Sequence, residues 1–384
     1  MMTSRDVRDA KTDKRVTMSA PDVNEDDVRA VMEVVRSGQH ALGPRAVSFE
    51  GAVAEYVGVR HGVAVSSGTA ALHLIVRALG LGRGDEVLVP SFTFAASVNV
   101  LLFEGVTPVF VDIDPDTFTL SIADLARKVT RRTRAIMVVD VFGHPAEWDG
   151  IEDFAASHRL EIIDDSCEAL GAEYRGRKLG SLGRAAAFAF YPNKQITTGE
   201  GGMIVTNDDS IAASARSLRN QGRAAMGAWL EHQELGYNYR MDEMSAALGE
   251  SQFSRIERFM DKRERVARLY SCRLDGLSWL RPPVVRSHVR MSWFVYVVTL
   301  ADGVDRATLI AEMESRGIPT RAYFPPVHRQ PYARNLLGDR EWDLPVTENV
   351  SRRTIALPFH NRMDEHDVDR VIAALHESAG TVDA

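Results

Sequence analysis

Between about residues 62 and 206 the chain alternates short apolar runs with segments of helix length. The runs are GVAV (62–65), DEVLVP (85–90), PVFVDI (108–113), AIMVVDVFG (135–143), LEIIDD (160–165), AAFAF (186–190) and GMIVT (202–206). Between them lie TAALHLIVRALGLG, FAASVNVLLFEG, IADLARKVT and IEDFAASHR. Strands that are apolar on both faces and separated by helices predict a mainly parallel sheet with helices on both faces. In such sheets ligands gather beyond the carboxyl ends of the strands. Ahead of this region, PDVNEDDVRAVMEVVRSG reads as a helix: Asn24 caps it, Glu25, Asp26 and Asp27 suit its positive end, and Gly38 closes it.

Past residue 240 the texture changes. A long helical pattern runs through DEMSAALGESQFSRIERFMDKRERVARLYSCRL, followed by the strand-like SWFVYVVTL (292–300). A helix over about 306–317, the proline-rich YFPPVHRQPY and a last helix over about 364–377 complete the chain. This predicts a smaller α+β C-terminal domain. We expect a disordered tail at 1–17, a large domain at 18–255 and a small one at 256–384.

Composition narrows the function. The 384 residues are 45% hydrophobic and 26% charged, ordinary for a globular chain with a sizeable core. A net charge of −7 speaks against nucleic acid or an anionic membrane as the main partner. Two cysteines, Cys167 and Cys272, offer no disulfide framework and fit a reducing cytoplasm. No stretch has the apolar length of a membrane span or a secretory signal.

Four stretches at predicted strand ends carry chemistry. In AVSSGTAALHL a strand ending at Val65 passes through small residues into a helix, whose free N–H groups and dipole can hold a phosphate. In IIDDSCEALGA, Asp164 and Asp165 bring carboxylates to the ligand-bearing edge, to hold a protonated ring nitrogen or a metal, or else to cap a helix. In PSFTFAASVN, Phe92 and Phe94 follow a strand end, placed either for the core or to stack on a flat ligand. In NKQITTGEGGMIVTND a single lysine, Lys194, precedes a glycine-rich turn; it is either solvated or held in an apolar site where its free amine can attack a carbonyl. A phosphate cradle, a strand-end carboxylate, an aromatic plate and a fixed lysine are together what pyridoxal 5′-phosphate (PLP) requires.

The stretches SSGTAALHL, VPSFTFAASVN, IIDDSCEALGAEY, FAFYPNKQITTGEGGMIVTND, GYNYRMDEMSAALG and LPFHNRM resemble, in order, the DegT/DnrJ/EryC1/StrS family of PLP-dependent nucleotide-sugar aminotransferases. The resemblance spans about residues 18–378. It implies the type I aminotransferase fold, with a mainly parallel seven-stranded sheet domain, and a homodimer with composite sites. By this likeness Lys194 is the lysine that carries the cofactor, and Asp165 pairs with the pyridine nitrogen, with Asp164 less direct. Gly68 and Thr69 cradle the phosphate, Phe94 stacks on the ring, and Glu168 lies near the phenolic oxygen. Asn238 reaches the phosphate in the neighbouring subunit. Arg219, Asn220, Tyr323 and His328 are candidates for substrate binding, with Arg240 set down to the dimer's structure.

Three positions depart from the family pattern: Ala189 where serine usually contacts the phosphate, Asp140 where histidine is common, and Glu168 in place of Gln or His. The implied reaction moves an amino group from L-glutamate to a keto sugar, most simply a nucleoside-diphosphate 3- or 4-keto-6-deoxy sugar, in ping-pong order. Alternatives are a cyclitol aminotransferase, a sugar dehydratase on the same scaffold, or a catalytically silent regulatory relative. Lys194 argues against deoxygenation, and Lys194 with Asp165 against silence.

Overall fold

The computed structural model describes residues 16–223, 231–338 and 341–382. Its central sheet has seven strands, in the spatial order His61–Val65, Gly202–Thr206, Ala185–Ala189, Glu161–Asp165, Thr133–Val139, Glu86–Pro90, Thr107–Val111. Neighbours are parallel except at Gly202–Thr206, which is antiparallel to both strands beside it. The expected apolar runs supply these strands, and Val87, Leu88 and Val89 in the strand beside the edge are fully buried. Helices such as Gly68–Ala78 and Ala96–Phe103 return the chain between the parallel strands.

A four-stranded antiparallel sheet, ordered Leu280–Arg281, Tyr296–Leu300, Thr354–Leu357, Arg321–Ala322, forms the smaller C-terminal domain. The helices Ile256–Arg273 and Arg306–Ser315 both pack on Glu365–Val382 there. From this sheet the segment 321–332 runs back to the central strand ends, where Val327 N–H donates to Ser91 O at 2.9 Å.

Local signals held at the first helix, Glu25–Ser37. Asn24 Oδ1 accepts from Asp26 N and Asp27 N, Asp27 answers at Asn24 N, and Gly38 closes the helix at φ 73°. The single long helix expected after residue 240 is instead two, Glu243–Phe253 and Ile256–Arg273. At the break Arg255 leaves helical geometry (φ −115°, ψ 15°), and its Nη2 reaches both oxygens of the buried Asp27 at 2.7 and 2.6 Å. The expected boundary at 255/256 falls in this break. Residues 1–15 of the expected tail lie outside the described residues; Val16 is buried, and Thr17 Oγ1 bonds His360 Nε2 at 3.1 Å. Among the described residues no helix is long and apolar enough to cross a membrane.

Candidate active site

At the carboxyl ends of the parallel strands lies a cavity of about 770 Å³, closed on the far side by the segment 321–332. Its base comes from the strand His61–Val65 and the helix that follows. Ser67, Gly68 and Thr69 all line it, and Ser67 Oγ caps the helix by accepting Ala70 N–H at 3.0 Å. Only glycine fits at 68, because a Cβ there would lie 2.7 Å from Ala189 Cβ and 2.9 Å from Cys167 Sγ. A Cβ on Gly202 would lie 2.4 Å from Ser67 O, so the returning strand presses directly on this turn.

Asp165 ends the strand Glu161–Asp165 and lines the cavity, with both oxygens held: Ser97 Oγ donates to Oδ2 at 2.6 Å and Cys167 N–H to Oδ1 at 3.2 Å. No α-helix follows, so the helix-cap reading of the aspartate pair is not realised. Strand alternation sends Asp164 to the opposite face, where it is fully buried. There it accepts from Ser166 Oγ at 2.7 Å and Gly180 N–H at 3.1 Å, next to the buried Asp140. Burial pushes the Asp140 carboxyl up to about 6, and burial with the charge of Asp140 raises Asp164 well above the ordinary aspartate range.

Lys194 is not a solvated lysine. Its side chain is 13% exposed, with Nζ 3.5 Å from Glu168 Oε1 and 3.8 Å from the centre of the Phe294 ring. The backbone around it is fixed: Lys194 N–H donates to Tyr191 O at 2.9 Å, and its carbonyl accepts from Arg263 Nη2 at 2.9 Å. Thr197 Oγ1 accepts Gly199 N–H at 2.9 Å, with Gly199 at φ 81°, a left-handed turn that glycine adopts without strain. Glu168 Oε2 accepts Phe142 N–H at 2.8 Å, and burial raises the Glu168 carboxyl against the opposing pull of Lys194. Phe94 lines the mouth and is 64% exposed.

The cavity thus gathers Gly68, Thr69, Phe94, Asp165, Glu168, Lys194 and Tyr323. Four other candidates do not line it in this chain. His328 is buried behind the wall, its Nδ1 paired with Ser91 Oγ and its Nε2 with Glu348 Oε1, both at 2.7 Å. Arg219 is drawn to Glu50 and to Ala64 O, at the other side of the first strand. Asn220 Oδ1 accepts from Arg240 Nη1 at 2.8 Å. Asn238 is exposed, in a backbone bridge with Asn220.

Polar wall residues that the sequence reading passed over are Tyr191, Asn193, Glu200, Gln330 and Tyr332. Asn193 adjoins Lys194, and Gln330 and Tyr332 follow His328 at alternate positions, which is the signal that marked them. Asn193 Oδ1 and the Tyr332 hydroxyl are buried without a protein partner, the signature of a wall shaped for a polar occupant.

The family model for the DegT/DnrJ/EryC1/StrS aminotransferase family matches residues 21–376. A GDP-perosamine synthase of Caulobacter vibrioides is 41% identical over 371 residues, covering 94% of this chain and 98% of that protein. Among solved structures, Helicobacter pylori PseC, an aminotransferase of pseudaminic acid biosynthesis, superposes with a TM-score of 0.91 at 27% identity, covering 96% of this chain and all of that one. Streptomyces venezuelae DesV, solved with a ketimine intermediate, gives 0.87 at 36% identity over 91% of this chain and 93% of its own. With a family match that runs nearly end to end, the chain belongs to the DegT/DnrJ/EryC1/StrS aminotransferase family, whose members depend on PLP, and it is an aminotransferase.

Proposed function

We propose that this enzyme aminates a nucleotide-linked keto sugar, most simply a 3- or 4-keto-6-deoxy sugar, with L-glutamate as donor, through PLP bound in the cavity. The observation that carries this reading is the placement of Lys194: a half-buried amine beside Glu168, facing the same cavity as Asp165 and the Gly68 turn. The residues fit the cofactor. Gly68 opens the helix N-terminus where no Cβ has room, Asp165 is a buried carboxylate already fixed by two donors, and Lys194 is the one amine on the cavity wall among the described residues.

When bound, PLP supplies an electron sink that stabilises the donor carbon after it loses its proton. The N–H groups of Gly68 and Thr69 with the Ser67 hydroxyl would hold the phosphate, to which Ala189 offers no hydroxyl. Asp165, whose two oxygens accept from Ser97 Oγ and Cys167 N–H, would face the ring nitrogen and favour its protonated form. Lys194 would hold the cofactor, and its free amine would serve as the base that moves the proton from the donor carbon. Glutamate and keto sugar use this cavity in turn, which gives ping-pong kinetics. The relative from Caulobacter is named for GDP-perosamine, which supports a nucleotide-sugar acceptor.

Asn238 is exposed and outside its own cavity, which supports a role at the cofactor phosphate of a second copy in a homodimer. The exposed Phe94 and Phe103 give such a dimer apolar surface to cover. The two free cysteines and the absence of a membrane-crossing helix among the described residues favour the cytoplasm.

The test is optical and chemical. Purified protein loaded with PLP should show a near-visible band that is lost in Lys194→Ala and that L-glutamate converts to the pyridoxamine form. Loaded protein should then aminate one member of a panel of nucleotide-linked 3- and 4-keto-6-deoxy sugars, detected by product mass. A colourless protein, or a band that glutamate leaves unchanged, overturns the proposal.

A further inference from the structure

Lys194 faces a titrating group that the reaction described above does not use. Glu168 is buried at the cavity wall, its side chain set by contacts on both sides. Oε2 accepts Phe142 N–H at 2.8 Å, and the Glu168 carbonyl accepts from Gln195 Nε2 at 2.6 Å. The turn that supplies the N–H is unusual. Phe142 adopts φ 60° and Gly143 φ 86°, two successive left-handed residues, and a Cβ on Gly143 would meet Ser292 Oγ at 2.5 Å and Glu168 O at 3.1 Å. A bulky residue in left-handed backbone is strained and persists where its surroundings demand it. Here that backbone aims one N–H at one carboxyl oxygen and leaves the other oxygen 3.5 Å from Lys194 Nζ.

We propose that Glu168 is the proton partner of Lys194, taking a proton from its ammonium when the lysine is released and returning it when the lysine is recaptured. The inference rests on the PLP reading of this cavity. In the forward direction an Nζ–H bond breaks and an Oε1–H bond forms, so the lysine is left as a neutral amine with a lone pair. That amine then removes the proton from the donor carbon; the return transfer restores the carboxylate. Lysine released as an ammonium is not a base, so each half-reaction needs a proton acceptor within reach in a site closed by the segment 321–332. The groups facing Glu168 suit this exchange. Asp165 and Cys167 lie on its own stretch, Lys194 on the glycine-rich turn, and Tyr323 on the C-terminal segment. Burial and Asp165 favour the protonated Glu168 carboxyl while Lys194 favours the ionised one.

Glu168→Gln is the variant to make, because its amide oxygen can still accept Phe142 N–H while the side chain no longer titrates. Two readouts are followed against pH on PLP-loaded protein: the midpoint of the near-visible absorbance change, and the single-turnover rate of conversion by L-glutamate. Loss of the carboxylate removes a counter-charge from the lysine nitrogen, so the absorbance midpoint should fall by about one pH unit. The single-turnover rate should fall by ~10² or more, at the low end of what a positioned acid–base group supplies. Glu168→Asp, which keeps a titrating carboxyl one methylene shorter, should give a midpoint between the two. Midpoint and rate both unchanged in Glu168→Gln, or a Glu168→Asp midpoint equal to that of the Gln variant, overturns the assignment while the cofactor reading stands. A wild-type protein with no near-visible band overturns the cofactor reading and this inference with it.

Discussion

The cavity has two unlike walls. One grows out of the central sheet and carries Gly68 at a helix start, Asp165 at a strand end, and Glu168 and Lys194 in the turns beyond strand ends; Asp165 and Glu168 accept bonds before any ligand arrives. The other is the segment 321–332, anchored to the sheet through His328 and Ser91, which offers Tyr323, Gln330 and an unpartnered Tyr332 hydroxyl. On the proposed function, the sheet wall is preorganised for chemistry and the segment keeps hydrogen-bonding capacity in reserve for recognition.

Substitutions can break that division. Asp165→Asn should lower kcat by about 10²–10³-fold in steady-state turnover, the scale of one lost electrostatic contact to the reacting system. A loss under tenfold would mean that the sheet wall is not where the chemistry is set. Behind it, Asp140 and Asp164 are both fully buried, and burial lifts Asp140 from 3.8 to about 6. A carboxyl whose folded-state pKa is raised gives most stability below its unfolded value and loses it as pH climbs through the folded value. The pair therefore destabilises the protein between roughly pH 4 and 6 and above. Asp164→Asn removes the carboxyl that burial and Asp140 hold protonated in the folded chain, so by thermal unfolding it should match wild type near pH 4 and become increasingly more stable than wild type as pH rises to 7. A gap that does not change with pH would show that the pair is not the cause.

Ala189→Ser restores a hydroxyl beside the cradle, and by equilibrium titration should tighten PLP binding about tenfold, the worth of a hydrogen bond to a charged group. Unchanged affinity would mean that Ser67 and Thr69 already saturate the phosphate. On the opposite wall, Tyr332→Phe should raise the KM for the keto sugar by about 3–10-fold with kcat little altered, the cost of one neutral hydrogen bond. Asn220→Ala, at a side chain already occupied by Arg240 and away from the cavity, should change KM by less than about twofold. Equal effects from these last two would erase the distinction between the walls.

The same division governed what the sequence disclosed. The strands were legible because apolar runs on a doubly covered sheet leave no alternation to confuse, and Asp165 and Lys194 because strand ends concentrate ligand contacts. Asp164 and Asp165 illustrate the limit: adjacent and alike in type, they separate only when the pleat turns one to the cavity and one to the core. In HRQPY the string shows three polar candidates two residues apart, and His328 was the natural choice. The fold buries it against Ser91 and Glu348 and gives the wall to Gln330 and Tyr332. Phe294, under the lysine, was unreadable because it arrives from the C-terminal part of the chain by tertiary packing alone.

Gly202 pairs with Val65 on one side and with Ala189 on the other, the last strand residues before the helix-start turn and the lysine turn. The chain from Ala189 out past Lys194 and back to Gly202 is therefore a closed loop of fixed circumference, clamped at both feet by the same sheet. Inserting or deleting a residue anywhere in 190–201 leaves no slack to absorb it, and either the lysine's reach or the strand register must give way. The chain just past the sheet edge, where Asn207 and Asp208 lead into the helix Asp209–Leu218, has no such restraint on the cavity side. Length variation in this enzyme should accordingly be tolerated there and lethal to function within the loop, a rule that a short insertion scan can read directly.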